Sequence, residues 1–333
     1  MSIRVLICGL GSIGRRHLRN LRALGVADIV LLRTGKSTLP DEELAGLPVE
    51  REIDLALRRW QPEAVIVATP TALHLETAIP AARAGCHVLL EKPILHDLTG
   101  VEDLQAAVAK SGSRVLVGFQ FRYHPSLQAI QQLLEQGAVG TPTAVRAHWG
   151  EYLPGWHAWE DYRQSYSARA EMGGGVVLTL CHPFDYLHGL FGRPASLWAR
   201  LAHRSDLDLD VEDTAEIEMT FADGLTAGLH LDFVQRPPEH GLKIIGTQGT
   251  ILWDGLEGSA RLYSAQTATW QTIPLPPGFE RNHLFLDEMR HFLRVVAGEA
   301  EPACTLEDGV YALQLCMATK ESSSTDCVVE LHS

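Results

Sequence analysis

The stretch that decides the fold is Ile3-Arg4-Val5-Leu6-Ile7-Cys8-Gly9-Leu10-Gly11-Ser12-Ile13-Gly14. Its short aliphatic run predicts a strand, and a helical pattern over residues 15–24 follows at once. Between them, three glycines have the spacing G-x-G-x-x-G. In a dinucleotide site the first makes a tight turn, the second lets a pyrophosphate approach the backbone, and the third lets helix and strand pack closely. The first helical turn, with Ser12 and Ile13, would then direct its amide N–H groups at the phosphates.

The composition limits the classes of partner. The chain has 333 residues, 46% of them hydrophobic and 21% charged, which is enough for two domains and a sizeable core. Its formal net charge of −13 argues against nucleic acid or an anionic membrane as the main partner. Six cysteines without a C-x-x-C pair indicate a reduced, cytoplasmic protein rather than a disulfide scaffold. No apolar run approaches the length of a membrane span, and the first one is too short for a signal peptide.

The first third of the chain alternates short aliphatic runs with helical segments. Strands are predicted at 3–8, 29–33, 64–68, 87–90 and 114–119, and helices at 15–24, 52–60, 73–84 and 99–110. Continuous Val, Ile and Leu runs are typical of parallel strands that are covered on both faces. The pattern predicts an α/β fold with a doubly wound parallel sheet of the Rossmann type. Thr99 and Glu102 have the spacing of a capping box and predict the start of the fourth helix.

The second strand bears on the choice of dinucleotide. NAD sites place an acidic residue about 20 positions past the glycines, where it accepts the ribose hydroxyls. Asp28 lies at that distance but precedes the strand, so we expect it at the wrong end. Arg33 ends the strand, and Thr34, Lys36 and Ser37 follow it. Two cations and two hydroxyls, with no carboxylate present, favour the 2′-phosphate of NADP over NAD. A solvated basic turn is the alternative.

Polar residues follow two further predicted strands. Ala68-Thr69-Pro70-Thr71-Ala72-Leu73-His74 comes after one, and Leu90-Glu91-Lys92-Pro93 after the next. Open α/β sheets bind ligands at the carboxyl ends of their strands. The charge of Lys92 would stabilise a developing alkoxide or order a hydroxyl beside a nicotinamide. In the alternative interpretation, Thr69 or Thr71 caps the next helix and His74 is a satisfied helix histidine.

Together, the glycine turn, Ala-Thr-Pro-Thr-x-x-His at 68–74 and Glu91-Lys92-Pro93 resemble the glucose–fructose oxidoreductase / inositol dehydrogenase family (Gfo/Idh/MocA). The order and spacing match over residues 3–125, including Gly118-Phe119-Gln120-Phe121-Arg122-Tyr123. The resemblance implies a nicotinamide dinucleotide cofactor and a catalytic role for Lys92, between nicotinamide and substrate. The expected cofactor contacts are Gly9, Gly11, Ser12, Ile13, Gly14, Arg33, Thr34, Lys36, Ser37, Thr69, Pro70, His74, Glu91, Lys92 and Gln120.

Past Pro125 the alternation stops, and an α+β domain is predicted. A helix at 126–136 and a strand at 143–149 lead into an aromatic, polar loop at 151–163. Loops with aromatic rings and hydrogen-bonding tips often close over polyhydroxylated ligands. The alternative is a loop anchored by its own aromatics or packed on a neighbouring subunit. The residues expected to contact substrate are Arg122, Tyr123, Tyr152, Trp156, His157, Thr179, Asp185 and His283.

A glycine run, Gly173-Gly174-Gly175, predicts the start of a helix with His182 and Asp185 on one side. Histidine titrates near neutrality, as the acid/base group for alcohol–carbonyl interconversion must; a structural histidine is the alternative. The resembling family has Gly-Gly, then an Asp, and a His four residues after it. Counted from the glycines, Thr179 stands at the Asp position and His182 comes one residue early. The His-x-x-Asp part of the pattern survives as His182 and Asp185, so the resemblance implies that His182 is the acid/base group. Its helper is left open among Thr179, Asp185, Tyr123, a loop residue and water.

The rest of the chain predicts a large open, mostly antiparallel sheet closed by two helices. Strands are predicted at 216–221, 225–233, 242–246, 250–253, 260–263 and 269–273, with hairpin turns at Asp223-Gly224 and Gln248-Gly249, and helices at 281–296 and 305–320. In the resembling family such a sheet often forms homodimer or homotetramer contacts, which an exposed sheet face also allows. The predicted division is a dinucleotide-binding domain at 1–122 and a substrate-binding and oligomerisation domain at 123–333, whose last helix is able to pack back toward the first.

The predicted function is that of an NAD(P)-dependent oxidoreductase. It would move hydride between nicotinamide and a secondary alcohol or ketone of a sugar, sugar derivative or cyclitol. Lys92 would orient and polarise the reacting hydroxyl, and His182 would exchange its proton. Two alternatives are redox-neutral elimination or glycoside cleavage with a bound nicotinamide, and a non-catalytic dinucleotide sensor. No metal site is predicted, because the histidines and acids show no tight ligand spacing.

Overall fold

The computed structural model describes residues 3–35, 39, 41–156 and 160–331. The chain forms two compact units. The first comprises Met1–Gln120, Glu171–Gly173 and Arg281–Leu313, and the second comprises Phe121–Ala170, Gly174–Glu280 and Gln314–Ser333. Among the described residues, no helix combines the length and the apolarity that crossing a membrane requires.

The first unit contains a six-stranded parallel sheet in the order β3-β2-β1-β4-β5-β6. Its strands are β1 (Val5–Cys8), β2 (Ile29–Leu32), β3 (Val49–Glu50), β4 (Ala64–Val67), β5 (His87–Leu90) and β6 (Val115–Val117), and its first helices are α1 (Ser12–Ala23), α2 (Ile53–Trp60), α3 (His74–Arg83) and α4 (Val101–Ser111). All four residues of β1, of β2 and of β4 are buried, as strands covered on both faces must be. The predicted doubly wound sheet is confirmed, and β1 and β4 flank the reversal of strand order where such folds bind ligands.

Two local features of the first unit differ from the sequence prediction. Strand β3 was not predicted, because two residues are too short to show a periodicity. Helix α4 begins after Gly100, whose φ of 82° is left-handed and whose N-cap position has no side-chain hydrogen bond. Thr99 lies outside the helix and donates its amide to Asp97 Oδ1 at 2.7 Å. The predicted capping box of Thr99 and Glu102 is therefore wrong, since the glycine itself occupies the cap position.

The glycine turn brings β1 and α1 closer together than side chains would allow. Gly9 has a φ of 91°, and a Cβ there would lie 2.4 Å from the carbonyl oxygen of Ala68, directly after β4. A Cβ at Gly14 would lie 2.0 Å from the carbonyl oxygen of Gly9. A Cβ at Gly11 would meet no described atom within 4 Å. Gly9 and Gly14 are thus required by the packing of the protein itself, whereas Gly11 borders open space.

The remaining elements follow in chain order. They are α5 (Pro125–Glu135), β7 (Pro142–Gly150), α6 (Val176–Thr179), α7 (His182–Phe191), β8 (Pro194–Ala202), β9 (Thr214–Phe221), β10 (Thr226–Asp232), β11 (Glu239–Gly246), β12 (Gly249–Asp254), β13 (Ala260–Ser264), β14 (Thr269–Ile273), α8 (Asn282–Val296), α9 (Leu306–Thr325) and β15 (Val329–Glu330). Helix α8 belongs to the first unit, and the division between the units falls within α9.

The second unit contains a nine-stranded sheet in the order β14-β13-β12-β11-β7-β10-β9-β8-β15. β7 and β10 pair in parallel, and the other described pairs are antiparallel. On β9, residues alternate between a buried face and a more exposed face, because side chains of a strand point to opposite sides in turn. The predicted open, mostly antiparallel sheet is confirmed, as is the hairpin at Gly224, whose φ is 87°. Strand β8 was not predicted.

The single helix predicted after the glycine run is two helices. Helix α6 ends at Thr179, and α7 begins at His182. In a continuous helix, residue 183 would donate its amide to the carbonyl of Thr179, but Pro183 has no N–H. Proline is instead favoured in the first turn of a helix, where it stands in α7. Thr179 and His182 therefore lie in different helices.

Gly14→Ala is expected to destabilise the first unit, because the added methyl group would overlap the backbone oxygen of Gly9. A loss of about 1–3 kcal/mol in the free energy of unfolding, measured by urea denaturation, is expected. Gly11→Ala is the matched control, since its Cβ meets open space, and it should change the free energy of unfolding by less than about 0.5 kcal/mol. Equal losses in the two variants would contradict this description of the turn.

Candidate cofactor and substrate sites

The amino end of α1 is suited to an anion. The amides of Ser12, Ile13 and Gly14 precede the first intrahelical bond, which runs from Arg15 N to Gly11 O at 3.1 Å. The first turn carries no acidic residue, and the N-cap Gly11 makes no side-chain hydrogen bond. The helix dipole adds partial positive charge at this end. With the open space at Gly11, these donors fit the pyrophosphate of a dinucleotide.

The segment after β4 presents a buried hydroxyl at the same edge of the sheet. Thr69 Oγ1 is buried and has no hydrogen-bond partner among the described residues. Buried polar atoms are normally satisfied, so this orphaned hydroxyl fits a contact with a bound ligand. The Thr69 carbonyl lies 3.0 Å from Nε2 of His74, which is 1% exposed. Burial lowers the pKa of His74, and its contact with the backbone favours the structural alternative for this histidine.

The end of β2 carries a charge pair that the sequence analysis did not foresee. Both terminal nitrogens of Arg33 donate to the carboxylate of Asp41, each at 2.9 Å. The hydrogen bonds from Arg33 hold the pKa of the Asp41 carboxyl below its usual value. The expectation that no carboxylate is present here is therefore wrong, because Asp41, eight positions further along the chain, pairs with the guanidinium. Thr34 is exposed beside this pair, and the predicted contacts Lys36 and Ser37 lie outside the described residues.

Asp28 lies at the opposite end of the same strand. Its carboxylate accepts two hydrogen bonds from Nε of Arg4 at 3.0 Å, next to the start of β1. The prediction that Asp28 stands at the wrong end for a ribose contact is confirmed. Its charge serves an ion pair on the amino-terminal edge of the sheet.

A buried acidic cluster fixes the segment that carries Lys92. Glu91 Oε1 lies 2.7 Å from His17 Nε2, in a contact between the end of β5 and α1. Glu288 of α8 is 1% exposed; burial and then the charge of Glu91 raise its pKa. Sequence reasoning missed His17 and Glu288, although Glu288 interrupts the apolar face of its helix. Glu91 thus acts as an internal anchor, and the half-buried Lys92 follows it directly.

The other predicted residues of the first unit take separate positions. Pro70 precedes a short 3₁₀ turn at Thr71–Leu73, and Gln120 is 6% exposed at the start of another, Gln120–Tyr123. His283 lies in the first turn of α8, whose neighbour Asn282 donates to Asn20 Oδ1 of α1 at 3.0 Å. Gln120 thus follows the end of β6, and His283 stands beside a contact between α8 and α1.

In the second unit, His182 is buried among aromatic rings at the start of α7. Its ring centroid lies 5.0 Å from that of Phe121, edge to face, and 5.5 Å from that of Trp149, nearly parallel. The side chain is 3% exposed. Thr179, also 3% exposed, ends the preceding helix. An imidazole held by two large rings has a fixed orientation, which a proton-exchanging group requires.

Two predicted substrate contacts bind each other. Arg122 Nε lies 3.0 and 3.1 Å from the two oxygens of Asp185, and Arg122 Nη2 lies 2.6 Å from one of them. The Asp185 side chain is 1% exposed and that of Arg122 is 22% exposed. A bidentate pair of this kind ties the start of the second unit to α7. It favours a positioning role for Asp185, while the half-buried Tyr123 stands next to Arg122 in the chain.

Sequence reasoning missed a group of histidines and aromatics around Phe121. His240 stacks on Trp149 with centroids 4.2 Å apart, and its Nε2 lies 3.4 Å from the Tyr186 hydroxyl. His124 caps α5 by accepting the amide of Ser126 at 3.2 Å. A single histidine among apolar residues is usually structural, so the sequence did not single out His124 or His240 as part of a site. The only available signal was that apolar residues flank them, which indicates burial.

The aromatic loop is held by its own unit in the parts that the structure describes. The Arg236 guanidinium lies 4.0 Å from the ring centroid of Tyr152. Trp156 packs edge to face on Phe233 at 5.6 Å, and its buried Nε1 has no hydrogen-bond partner among the described residues. The predicted contact His157 lies outside the described residues. The donor of Trp156 is therefore the loop group that best fits a contact with a polar ligand.

Comparisons with known proteins agree with the fold of both units. Residues 3–119 match the oxidoreductase family with an NAD-binding Rossmann fold, and residues 127–252 match the GFO/IDH/MocA C-terminal domain. The chain is 27% identical to 1,5-anhydro-D-fructose reductase of Ensifer adhaerens over 310 residues, or 90% of this chain and 85% of that protein. It is 31% identical to an uncharacterized oxidoreductase of Synechocystis sp. over 287 residues, which are 78% of this chain and 76% of that protein. The solved structure of levoglucosan dehydrogenase in complex with NADH and levoglucosan has the same fold, with a TM-score of 0.88, 20% identity and full coverage of both chains.

The chain belongs to the Gfo/Idh/MocA family of oxidoreductases, and the predicted resemblance is confirmed. It is a nicotinamide-dependent enzyme of the dehydrogenase and reductase class, with an NAD-binding first domain. The glycine turn, the amides of α1 and the orphaned Thr69 hydroxyl are the residues of this chain that fit such a cofactor.

The stability of the chain should fall in acid partly because of His124. Burial lowers the pKa of His124 to about 4, against about 6.5 in an unfolded chain. The folded state therefore favours the neutral ring, and this contribution is present above about pH 6.5 and is lost as the pH falls toward 4. His124→Asn keeps an acceptor for the helix cap but does not titrate. Between pH 7 and pH 4 the wild type should lose up to about 3 kcal/mol more free energy of unfolding than the variant. If the free energies of unfolding of the wild type and the variant, measured by urea denaturation, changed equally with pH, this role of His124 would be contradicted.

Proposed function

We propose that this enzyme transfers hydride between nicotinamide and a secondary alcohol or ketone of a sugar, sugar derivative or cyclitol. The observation that carries the proposal is that His182 is buried between the aromatic rings of Phe121 and Trp149. The same chain has the glycine turn of a dinucleotide site, and Lys92 follows the end of β5. Relatives support the substrate class: 1,5-anhydro-D-fructose reductase and myo-inositol 2-dehydrogenase of Thermotoga maritima, the latter 25% identical over 343 residues, are named for a sugar derivative and a cyclitol.

The roles of the residues follow from their chemistry. The amides of Ser12 and Ile13 hold the pyrophosphate, and the Thr69 hydroxyl hydrogen-bonds the cofactor. A bound nicotinamide supplies hydride exchange at its C4 carbon. Lys92 orients the reacting hydroxyl of the substrate and stabilises the charge that develops on its oxygen. His182 takes the hydroxyl proton during oxidation and returns it during reduction.

The ion pair of Asp185 with Arg122 reduces the number of candidates for the residue that assists His182. Because the Asp185 carboxylate is bidentate with Arg122, we assign these two side chains to positioning α7. Thr179, Tyr123, a residue of the 151–163 loop and water are left as candidates for the helper. The pair also weakens the case for Arg122 as a substrate contact, because the Asp185 carboxylate already neutralises the guanidinium charge.

His182→Ala should lower the rate of turnover by about 10²–10⁴-fold, because the general acid/base group is lost. Lys92→Met should bind the dinucleotide with unchanged affinity and lose turnover, because the developing charge on the substrate oxygen loses its counterion. Turnover is measured as the change in nicotinamide absorbance across a panel of sugars and cyclitols. His188→Ala, on the same helix, and Lys110→Met, at an exposed site on α4, are matched controls.

A loss of only a few-fold in His182→Ala would return this residue to a structural role. Near-normal turnover in Lys92→Met would remove Lys92 from the mechanism. Product formation without any net change in cofactor absorbance would favour the redox-neutral alternative, and binding of dinucleotide without any product would favour the sensor.

We propose further that the pair of Arg33 and Asp41 sets the preference between NAD and NADP. A 2′-phosphate has to compete with the Asp41 carboxylate for the guanidinium, whereas NAD has no such group to place. The preference for NADP that Arg33 alone suggests stays a prediction. Asp41→Asn should free the guanidinium and shift the ratio of the two dissociation constants toward NADP by roughly three- to tenfold.

The ratio is measured by thermal shift or titration with NAD, NADH, NADP and NADPH, since a ligand that binds the folded state raises the melting temperature. Glu42→Gln, on the exposed neighbour of Asp41, is the matched control. An unchanged ratio in Asp41→Asn would contradict this role of the pair. The cytoplasmic location and the assembly of a homodimer or homotetramer through the nine-stranded sheet stay predictions.

A further inference from the structure

We propose that His148, His230 and Asp232, on the more exposed face of the nine-stranded sheet, form a binding site for a divalent transition-metal ion, with Zn²⁺ as the preferred occupant. One ligand atom from each of the three residues lies within 4.8 Å of the others. All three belong to the second unit, and none was given a role above. The sequence analysis predicted no metal site because these ligands are distant in the chain, apart from the His-x-Asp pair on β10.

The strand register brings the ligands together. His148 of β7 is directly paired with His230 of β10, in the parallel part of the sheet. Asp232 stands two residues beyond His230, so its side chain points to the same face. The residue paired with Asp232 is Gly150, where a Cβ would lie 2.2 Å from Asp232 Oδ2. The glycine thus leaves the space that the carboxylate occupies.

The distances suit a small cation. His230 Nε2 lies 3.1 Å and His148 Nε2 lies 3.9 Å from Asp232 Oδ2. Ligand atoms of a tetrahedral zinc site lie about 3.3 Å apart, as metal–ligand distances of about 2.0–2.2 Å require. The two imidazole rings are stacked with centroids 4.7 Å apart and an angle of 24°. A modest rotation of the rings would therefore direct both nitrogens at one ion.

Neighbouring groups hold two of the ligands in position. The amides of Val234 and Gln235 donate to Asp232 Oδ1 at 2.7 and 2.6 Å, which leaves Oδ2 directed at the histidines. Glu216 Oε1 of β9 lies 2.6 Å from Nδ1 of His230. A carboxylate on the far nitrogen of a histidine is the usual outer partner of a metal-binding imidazole, because it fixes the ring and makes Nε2 the ligand.

The third ligand atom has an unmet requirement. His148 Nε2 is buried, yet it has no hydrogen-bond partner among the described residues. A buried ring nitrogen without a partner is costly, and a metal ion beside Asp232 would satisfy it. This observation is independent of the spacing of the three ligands.

The donor set selects the class of metal. Two imidazole nitrogens and one carboxylate oxygen suit Zn²⁺, Co²⁺ or Ni²⁺, whereas Mg²⁺ and Ca²⁺ prefer oxygen ligands. Three protein ligands leave a fourth position for water. The same face has a groove with a volume of about 590 Å³, lined by both histidines and by Glu216, Glu239 and Trp198, in which that water has room. An ion here would link β7 to β10 and stabilise the folded unit.

The site is tested by titrating the untagged, metal-free full-length enzyme with ZnCl₂, CoCl₂ and MgCl₂, using calorimetry and thermal unfolding. We expect one Zn²⁺ per chain, a higher melting temperature with Zn²⁺ and no such shift with Mg²⁺. His148→Gln and His230→Gln should each weaken Zn²⁺ binding at least about tenfold, and Glu216→Gln should weaken it about tenfold through the ring of His230. His203→Gln, at an exposed histidine outside the cluster, is the matched control.

Cobalt distinguishes this site from a thiol such as the exposed Cys327. Bound Co²⁺ should give the visible bands of a tetrahedral nitrogen and oxygen site, without the near-ultraviolet band of a cobalt thiolate. No bound Zn²⁺, a thiolate spectrum, or full affinity in both histidine variants would overturn the proposal. Circular dichroism and dinucleotide binding show whether each variant has folded, and Glu216→Gln, which removes no ligand, provides a separate test if either histidine variant has not.

Discussion

The first unit depends on one close contact, between the backbone of Gly9 and that of Gly14. A methyl group at Gly14 would lie 2.0 Å from the Gly9 oxygen, and one at Gly9 would lie 2.4 Å from the Ala68 oxygen. The two glycines therefore set the distance of α1 from β1 and of both from the end of β4. That distance aims the free amides of α1 at the open space beside Gly11 and keeps the Thr69 hydroxyl at the same edge. A cofactor site at the reversal of strand order follows from backbone packing.

Buried hydrogen-bonded pairs hold the segments that carry the proposed chemistry. Burying a polar or charged group is costly unless a partner compensates it, so such pairs strongly favour one arrangement of their segments. Glu91 with His17 fixes the chain directly before Lys92, and Asp185 with Arg122 fixes the first turn of α7 directly after His182. Within each unit, an acidic residue that was predicted to contact a ligand, Glu91 or Asp185, instead pairs with another residue of the protein. Each pair positions the neighbouring residue to which we assign the chemistry.

The metal proposal concerns the other side of the same sheet. Trp149 of β7 packs on His182 on the buried face, whereas its neighbour His148 points to the opposite face, beside His230. A strand with a period of two residues can therefore serve two sites at once. An ion between β7 and β10 would restrain the strand that supports the proposed acid/base histidine, without touching a substrate.

The sequence by itself determined most of the helices and strands, the glycine turn and the family, because helix and strand periods and the glycine spacing are local patterns that a few neighbouring residues encode. Only the tertiary structure decided which side chains meet. His17 and Glu91 are 74 residues apart and Arg122 and Asp185 are 63 apart, so their pairing depends on strand order and helix packing. Even Arg33 and Asp41, only eight positions apart, form a pair that the sequence does not predict, because residues 33–41 show no helix or strand periodicity. Helices, strands and turns are encoded by neighbouring residues. A site forms only when the whole sheet folds and packs, because that brings residues distant in the chain together.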